Sequence, residues 1–332
     1  MSLDESRQKP HERLATVLAE DLDAVNALIR ERMASKHAPR IPEVTAHLVE
    51  AGGKRLRPML TLAAARLCGY DGADHVKLAA TVEFIHTATL LHDDVVDESA
   101  KRRGRPTANL LWDNKSSVLV GDYLFARAFQ LMTEPGNLRV LNILSDAAAT
   151  IAEGEVLQLT AAQDLSTTED IYLQVVRGKT AALFSAATEV GGVIAGRPDA
   201  EVQALFDYGD ALGIAFQIVD DLLDYWGGDA TGKNVGDDFR ERKLTLPLIK
   251  AFAKADEAER AFWKRVIEKG DQREGDLETA MDLLNRHGAL EATRIEALAW
   301  SAKAKAAMEG FPPSELRDLL IGVNDYVIER VS

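Results

Sequence analysis

Residues 83–103 read EFIHTATLLHDDVVDESAKRR, an apolar helical run that carries Asp93, Asp94 and Asp97 and then turns basic. Asp93 and Asp97 are four residues apart, so on a helix they lie one turn apart on the same face. Bare carboxylates at that spacing repel each other and destabilise the helix unless a cation lies between them. The stretch therefore predicts a cation site on an otherwise apolar helix.

The same acidic pattern occurs a second time. Residues 216–226, FQIVDDLLDYW, place Asp220, Asp221 and Asp224 at the same spacing in another apolar run. Partly buried carboxylates are costly unless they are paired or bind a metal. Carboxylate ligands suit a hard cation such as Mg²⁺, whose coordination is completed by substrate phosphates and water. A solvated acidic surface is the alternative for one motif alone, whereas two such motifs favour a diphosphate held through metal ions.

Basic residues near the acidic motifs would complete a diphosphate site. Guanidinium groups match phosphate oxygens in geometry, and a glycine pair lets the backbone approach a phosphate closely. An ordinary surface charge is the simpler interpretation of any one of these residues, but it is a poor explanation of the set. They are Lys54, Arg55 and Arg57 in GGKRLRP, Arg102 and Arg103 after the first motif, Lys179 in RGKTAALF, and Lys233 and Lys243.

Composition favours one large globular domain. The chain has 332 residues, of which 46% are hydrophobic and 28% charged, and no linker-like stretch divides it. We expect a single domain over residues 1–332, with residues 1–11 flexible. The net charge of −14 argues against a nucleic-acid partner and would repel an anionic substrate without local basic groups or metal.

Cysteine count and hydropathy limit the remaining possibilities. Cys68 is the only cysteine, so an internal disulfide and a multi-cysteine zinc site are excluded, and a buried, unreactive thiol is expected. No apolar run approaches the roughly 18 residues of a membrane span, and no signal peptide is evident. We therefore expect a cytoplasmic protein.

Helical periodicity dominates the chain and strand-like alternation is nearly absent. Proline and glycine stand where helices would begin and end. Many long helices rich in Ala, Leu and Val predict an all-α bundle around a deep central cavity. The predicted helices span residues 12–33, 42–52, 58–69, 74–98, 114–132, 138–163, 168–195 and 198–226, with residues 227–242 irregular and further helices after 247.

Several motifs together resemble those of the trans-isoprenyl diphosphate synthase (polyprenyl synthetase) family, most of all its long-chain octaprenyl and decaprenyl synthases. The resemblance runs from about residue 14 to the C-terminus and implies an isoprenoid synthase-type fold, with the acidic motifs facing each other across the cavity. The motifs are GGKRLRP at 52–58, EFIHTATLLHDDVVDE at 83–98, RRG at 102–104, GKT at 178–180, FQIVDDLLD at 216–224 and GKNVGDD…KLTLPL at 232–248.

The resemblance also implies roles for single residues. About three Mg²⁺ ions per site would be bound directly by Asp93, Asp97 and Asp220 and indirectly by Asp94, Asp221 and Asp224. The allylic diphosphate would be held by Arg102, Lys179 and Lys243, with Lys233 near the second metal cluster. Isopentenyl diphosphate would be bound by Lys54, Arg57, His86 and Arg103, with Arg55 also among the substrate-binding residues. Thr180 and Gln217 would lie beside the reacting carbons.

The implied reaction is head-to-tail addition of isopentenyl diphosphate to an allylic diphosphate, farnesyl or similar, by ionisation, condensation and loss of a proton. A homodimer, and peripheral contact with a membrane when the product leaves, are also expected from the resemblance. His86 alone could be an ordinary core histidine. Its position seven residues before Asp93, two turns along the same face, favours a functional role.

Small residues before the first motif favour a long product. Ala88 and Thr89, five and four residues before Asp93, stand where bulky side chains stop elongation early in the family. The expected product has about eight to ten isoprene units, as for quinone side chains, and Ala88→Phe should shorten it. Alternatives are a farnesyl or geranylgeranyl diphosphate synthase, a type I terpene cyclase and a non-catalytic synthase subunit. The intact second motif and GGKRLRP disfavour the last two.

Overall fold

Helices form nearly all of the secondary structure in the computed structural model, which describes residues 8–50, 53–102, 104–226 and 235–331. The predicted all-α fold is confirmed. In chain order the elements are α1 Pro10–Val17, α2 Ala19–Met33, α3 Arg40–Glu50, α4 Leu56–Leu67, α5 Asp74–Val96, β1 Lys101–Arg102, β2 Arg105–Pro106, α6 Ala108–Leu111, α7 Asn114–Thr133, α8 Leu138–Ala161, α9 Glu169–Val176, α10 Ala182–Ile194, α11 Asp199–Trp226, α12 Asp237–Arg240, α13 Leu246–Ala253, α14 Glu257–Trp263, α15 Asp276–Arg286, α16 Ala289–Ala307 and α17 Glu315–Glu329.

The chain divides into two compact units. Unit 1 comprises Met1–Ala148, Ala186–Phe206 and Gly310–Leu320, and unit 2 comprises Ala149–Ser185, Asp207–Glu309 and Ile321–Ser332. The first acidic motif belongs to unit 1 and the second to unit 2. A single functional domain over the whole chain stays a prediction.

Helix α5 is the central helix of unit 1. It packs mainly against α7 and also against α2 and α4. Apolar residues cover α5 on all sides, including Leu78, Val82, Phe84 and Ile85, each at most 1% exposed. A helix that is apolar all round must be surrounded by other elements, which explains this position. The first acidic motif is thereby attached to a largely buried helix of its unit.

Unit 2 is organised around α13, which packs against α9, α14, α15 and α16. Its sequence is LPLIKAFA, with Pro247 in the first turn, where the missing N–H of proline costs no hydrogen bond. The helix buries Leu246, Leu248 and Ile249. The residues just before α13, including Lys243, are therefore connected directly to a buried helix.

Four local features differ from the prediction. Helix α12 Asp237–Arg240 lies within residues 227–242, which were predicted to be irregular. The predicted helix 12–33 breaks at Leu18, whose backbone leaves helical angles while its side chain stays buried, so apolar spacing gives no sign of the break. Strands β1 and β2 pair as a two-residue antiparallel hairpin, too short for any alternation pattern. Within the predicted helix 168–195, Arg177–Ala181 forms a π-helical turn between α9 and α10.

No helix among the described residues is both long and apolar enough to cross a bilayer. Cys68 is buried at 8% exposure, and burial raises the pKa of its thiol to about 11. An unreactive thiol, as expected from the sequence, is consistent with that shift.

Candidate active site

The first acidic motif lies at the C-terminal end of α5. Asp93 is half-buried in the last turn, and Asp97 caps the helix by donating its backbone N–H to the Asp93 carbonyl at 2.8 Å. The C-terminal end of a helix carries partial negative charge, which disfavours carboxylates and favours cations. Repulsion between the carboxylates adds to this effect. A cation bound here would relieve both repulsions.

Asp94 is fully buried and is paired with Arg102. The hairpin after α5 returns the chain so that Arg102 Nε donates to Asp94 Oδ1 at 2.8 Å. Burial raises the pKa of Asp94, and the Arg102 charge opposes this shift. Within the described residues, Asp94 Oδ2 is buried without a hydrogen-bond partner. Such an oxygen can accept a hydrogen bond from water or act as a ligand of a hard cation.

The basic motif before α4 faces α5 within unit 1. Arg55 stands just before α4 with a left-handed backbone, φ 49°, and its guanidinium forms an ion pair with Glu83. Arg57 Nη1 donates to His86 Nε2 at 3.3 Å, and Lys54 is exposed. The structure thus brings Arg57 and His86, both predicted to bind isopentenyl diphosphate, into contact with each other.

The second acidic motif lies in the last two turns of α11, again at a helix C-terminus. Asp224 accepts hydrogen bonds from the backbone N–H groups of Asp237 and Asp238 at 3.1 and 3.0 Å. Asp220 Oδ1 accepts from Arg330 Nη2 at 2.9 Å. Asp224 therefore anchors the start of α12, and the Arg330 guanidinium is paired with Asp220.

Asp221 is the centre of a buried hydrogen-bond network in unit 2. Tyr172 donates its hydroxyl to Asp221 Oδ2 at 2.6 Å, and Gln217 Nε2 donates to Asp221 Oδ1 at 2.8 Å. Thr180 Oγ1 donates to Gln217 Oε1 at 2.7 Å. Thr180, Gln217 and Asp221, which were singled out in the sequence, thus form one continuous chain of contacts.

This network lines a cavity of about 140 Å³ within unit 2. Lys179 and Lys243, both predicted to hold a diphosphate, contribute to its wall, and Lys179 Nζ pairs with Glu155 at 3.0 Å. Basic, amide, hydroxyl and carboxyl groups therefore converge on one small space, as a binding site for a charged ligand requires. The wall also includes Gln158, Ala161, Ala162, Thr167, Tyr172, Val175, Val176, Thr180, Gln217, Asp221, Asp238, Leu244 and Thr245.

A close approach of two backbones, next to a π-helical turn, explains why GKT contains glycine. π-helical turns are rare and often found at functional sites. A Cβ on Gly178 would lie 2.7 Å from the Gly154 Cα, and a Cβ on Gly154 would lie 2.7 Å from the Lys179 backbone nitrogen. The two backbones meet where neither residue can carry a side chain. This contact places Lys179 and Thr180 at the cavity.

Gly178→Ala tests that close approach. We expect a loss of about 2 kcal/mol in the free energy of unfolding, because the added methyl group must separate two backbones. Gly310→Ala is the matched control, since a Cβ there meets nothing within 4 Å. Urea unfolding of both variants provides the comparison. Equal stability of Gly178→Ala and wild type would contradict the packing described.

Burial perturbs two carboxyl groups of the cavity. Burial raises the pKa of Asp221 to about 7, and the hydrogen bonds from Tyr172 and Gln217 oppose this shift only in part. Burial, together with the charges of Asp221 and Asp224, raises the pKa of Asp238 well above the usual aspartate value. Two neighbouring buried carboxyl groups do not both ionise easily, so a positive charge bound nearby would stabilise their ionised forms.

The raised pKa of Asp221 has a consequence for metal-free protein. Between about pH 4 and pH 7 the folded state keeps a proton that the unfolded chain releases, so this residue makes stability fall as pH rises. In EDTA, the melting temperature of Asp221→Asn minus that of wild type should therefore increase from pH 4 to pH 7. A change of about 1 kcal/mol corresponds to about 2–4 °C in domains of about 150–250 residues. Asp199→Asn, at a side chain 86% exposed, is the control. A difference independent of pH would count against the raised pKa.

The carboxylates fit a hard divalent cation that arrives with a substrate. Among the residues that the structure describes, no three His, Cys, Asp or Glu side chains form a ready-made metal site. Magnesium usually takes one or two protein carboxylates and completes its coordination with phosphate oxygens and water. The orphaned oxygen of Asp94 and the repelling pairs at two helix ends match that donor chemistry.

Left-handed backbone marks the surroundings of the site motifs. Non-glycine residues rarely adopt positive φ, and such strain concentrates at functional sites. Arg55 precedes α4, Glu98 follows the first acidic motif, and Arg242 precedes Lys243. In the described part of the chain, the positive-φ residues other than glycine are Arg55, Glu98, Gln163 and Arg242.

The positions expected to set product length lie on α5. Ala88 is fully buried, whereas Thr89 is half-buried and donates its hydroxyl to the His86 carbonyl at 2.8 Å. Thr89 shares the helix face of Asp93, one turn away. The roles of Ala88 and Thr89 stay predictions.

Some site residues were missed or lie outside the described residues. Arg103 and Lys233 fall outside them. Tyr172, Glu83 and Arg330 contact motif residues but were assigned no role from the sequence, because their partners are distant along the chain. The acidic run before Lys243 was the only local signal for Asp238.

Comparisons with known proteins identify the family of this chain. The polyprenyl synthetase family matches residues 38–284. The octaprenyl diphosphate synthase of Escherichia coli is 46% identical over 96% of this chain and 98% of its own length. A decaprenyl diphosphate synthase from Rhodobacter capsulatus, of known crystal structure, is 76% identical in sequence to this chain. The two structures align with a TM-score of 0.95 over 97% of this chain and 99% of the other.

A third similar protein was crystallised with ligands. The polyprenyl synthase from Caulobacter crescentus, in complex with calcium and isoprenyl diphosphate, is 50% identical, with a TM-score of 0.92 and coverage of 98% and 99%. The fold and the acidic motifs define an isoprenoid synthase-type protein. The chain belongs to the polyprenyl synthetase family.

Proposed function

We propose that the protein is a long-chain all-trans polyprenyl diphosphate synthase. It adds isopentenyl diphosphate head-to-tail to an allylic diphosphate, farnesyl or similar, until the product has about eight to ten isoprene units. The observation that carries the proposal is near full-length similarity to an octaprenyl and a decaprenyl diphosphate synthase. Such products are suited to quinone side chains.

Asp93, Asp97 and Asp220 would hold Mg²⁺, about three ions per site, with Asp94, Asp221 and Asp224 in support. When bound, Mg²⁺ would neutralise the negative charge that grows on the leaving diphosphate. The support for this assignment is the placement of both motifs at helix C-termini, where cations are favoured. Asp224 would act through the backbone of Asp237 and Asp238, because its carboxylate accepts hydrogen bonds from both N–H groups.

Basic residues would hold the allylic diphosphate and stabilise its departure. Lys179 and Lys243 lie in the wall of the unit 2 cavity, and Arg102 keeps its Nη groups for a ligand while Nε binds Asp94. Lys233 would join them near the second acidic motif. Fixed positive charge stabilises a leaving diphosphate more effectively than water does, because it needs no reorganisation.

The polar chain from Thr180 through Gln217 would lie beside the allylic cation. Thr180 donates to Gln217, which leaves the hydroxyl oxygen and amide dipoles ordered rather than free to rotate. Ordered dipoles stabilise a cation without attacking it. Exclusion of water by the surrounding aliphatic side chains would prevent hydrolysis of the cation.

Isopentenyl diphosphate would bind at the basic motif of unit 1. Arg57 and His86 are already in contact, and the backbone of Arg55 is fixed by its ion pair with Glu83. Lys54 and Arg103 would add further positive charge. The double bond of this substrate would attack the allylic cation, and the proton lost afterwards would pass to the released diphosphate.

A direct assay distinguishes this activity from its rivals. The protein is incubated with farnesyl diphosphate, radiolabelled isopentenyl diphosphate and Mg²⁺, and products are separated by reversed-phase chromatography. A ladder ending at about eight to ten units supports elongation to long chains. A ladder ending at three or four units would indicate a short-chain synthase. A cyclic hydrocarbon would indicate a terpene cyclase, and no turnover a binding subunit.

The protein would act as a homodimer through the outer face of α6 and α7. This face exposes large apolar side chains, which in soluble proteins commonly mark an interface. Leu110 is 60% exposed, Leu119 65% and Phe129 44%. Leu111 and Val118 extend the same surface.

Charges on that face should separate the subunits. For the double variant Leu119→Asp/Phe129→Asp we expect the molar mass measured by light scattering to fall from dimer to monomer, because the buried carboxylates would lack partners. Ile295→Asp is the control, since Ile295 is 56% exposed on α16. A double variant that remains dimeric would exclude this face as the interface.

A cytoplasmic location, and peripheral membrane contact at product release, complete the proposal. The support is the absence of any membrane-spanning helix among the described residues, together with the apolar nature of the product.

A further inference from the structure

Arg242 has an unusual backbone conformation directly before Lys243. Its φ is 61°, in the left-handed region that non-glycine residues rarely adopt. Residues held in this region cost free energy and persist only when the surrounding contacts impose them. The left-handed residue ends α12, where the Arg242 N–H donates to the Phe239 carbonyl at 3.0 Å and the Lys243 N–H donates to the Asp238 carbonyl at 2.9 Å. The Arg242 side chain adds contacts of its own.

The Arg242 guanidinium is held by three oxygen acceptors in unit 2. Nε donates to the Ile267 carbonyl at 2.7 Å, and Nη2 donates to the Glu268 carbonyl at 2.9 Å and to Gln163 Oε1 at 2.6 Å. The two carbonyls end the π-helical turn Lys264–Glu268 after α14, where a cation is favoured. Gly270 makes the space, because a Cβ there would lie 2.7 Å from Arg242 Nη1.

A second anchor lies on the other side of the segment. The Lys243 backbone N–H donates to the Asp238 carbonyl at 2.9 Å, and the Asp238 N–H donates in turn to Asp224 Oδ2. The segment that carries Lys243 is therefore fixed by Asp224 at its start and by Arg242 at its end. Lys243 itself lines the cavity beside Asp221 and Asp238.

We infer that Arg242 is a positioning residue that holds Lys243 in place to bind the allylic diphosphate. The inference rests on the proposed function of Lys243. The competing explanation is that Arg242 only caps the π-helical turn and contributes stability. The two explanations differ in whether loss of the guanidinium affects binding of one substrate selectively.

Arg242→Gly removes the anchor without adding backbone strain, since glycine adopts positive φ freely. We expect KM for farnesyl diphosphate to rise about tenfold while KM for isopentenyl diphosphate stays within about twofold. Arg242→Lys keeps the charge but not the forked geometry, so its effect on KM should be intermediate. This variant replaces Arg242→Gly in the test if the glycine variant folds poorly. Lys254→Ala, which removes one capping bond to the His287 carbonyl, is the stability control.

Lys243→Ala separates failure of this inference from failure of the proposed function. If Lys243→Ala raises KM for farnesyl diphosphate but both Arg242 variants leave it unchanged, the positioning role is wrong and the proposed function stands. Equal rises in both KM values for the Arg242 variants would show a purely structural role and overturn the inference. If Lys243→Ala itself leaves KM and kcat unchanged, the proposed role of Lys243 is wrong, and the inference fails with it.

Discussion

Asp93→Asn lowers kcat for prenyl elongation by about 10³-fold, equivalent to about 4 kcal/mol of transition-state stabilisation. The carboxylate stands in the last turn of α5, where both the helix dipole and Asp97 repel it. A bound cation would relieve that repulsion, so the neutral amide would lose the interaction proposed to hold the metal. Steady-state kinetics with farnesyl and isopentenyl diphosphates measure the effect.

The fold of Asp93→Asn should remain intact, because removing one of two repelling charges does not disrupt packing. Its melting temperature without metal should equal or slightly exceed that of wild type. Asp199→Asn makes the same chemical change at a side chain 86% exposed and should leave kcat unchanged. An Asp93→Asn variant with more than a tenth of wild-type kcat would exclude Asp93 as a metal ligand.

Thr89→Phe shortens the product by several isoprene units. Thr89 is half-buried on the same face of α5 as Asp93, and four residues of helix span about 6 Å. A phenyl ring at that distance would block a chain growing along α5 away from the metal. The measurement is reversed-phase chromatography of the dephosphorylated products, with three or four units expected in place of eight to ten.

Ala88→Phe should also shorten the product, at a cost in stability. Ala88 is fully buried, so a ring there overpacks the core by about 1–3 kcal/mol, which Thr89→Phe largely avoids. Ala299→Phe adds the same bulk at an exposed position of α16 and should leave product length unchanged. Unaltered chain length in both α5 variants would place the elongating chain elsewhere.

The helices could be predicted where the pattern was continuous. The predicted helix 74–98 corresponds to α5 Asp74–Val96, because its apolar residues recur with helical spacing along the whole span. The helix ends at its C-cap, Asp97. The break at Leu18 could not be predicted, because the Leu18 side chain is buried and so fits the apolar spacing of a continuous helix. The π-helical turn at Arg177–Ala181 packs against Gly154, which is distant in sequence, so local spacing could not predict that contact.

The site was predictable only as far as local spacing reached. Carboxylates four residues apart on a helix are neighbours whatever the rest of the fold, so Asp93 and Asp97 could be paired from the sequence. The contact of Arg102 with Asp94 requires a hairpin, and that of Tyr172 with Asp221 joins residues 49 apart. Family resemblance named Thr180 and Gln217, and the structure supplied the hydrogen bond between them.

Electrostatics connects these observations. Each acidic motif stands at the negative end of a long helix, and the protein offers partial compensation through Arg102 to Asp94 and Arg330 to Asp220. Under the proposed function, we expect divalent ions bound together with a diphosphate to complete the compensation. The proposed function therefore predicts that loss of a carboxylate from either motif weakens binding of the allylic diphosphate and Mg²⁺.

Calorimetric titration with a non-cleavable farnesyl thiodiphosphate, with and without Mg²⁺, tests that prediction most directly. We expect tight binding that depends on Mg²⁺ in wild type and is weakened at least tenfold by either Asp93→Asn or Asp220→Asn. Binding that is independent of Mg²⁺, or that survives loss of either aspartate unchanged, would contradict it.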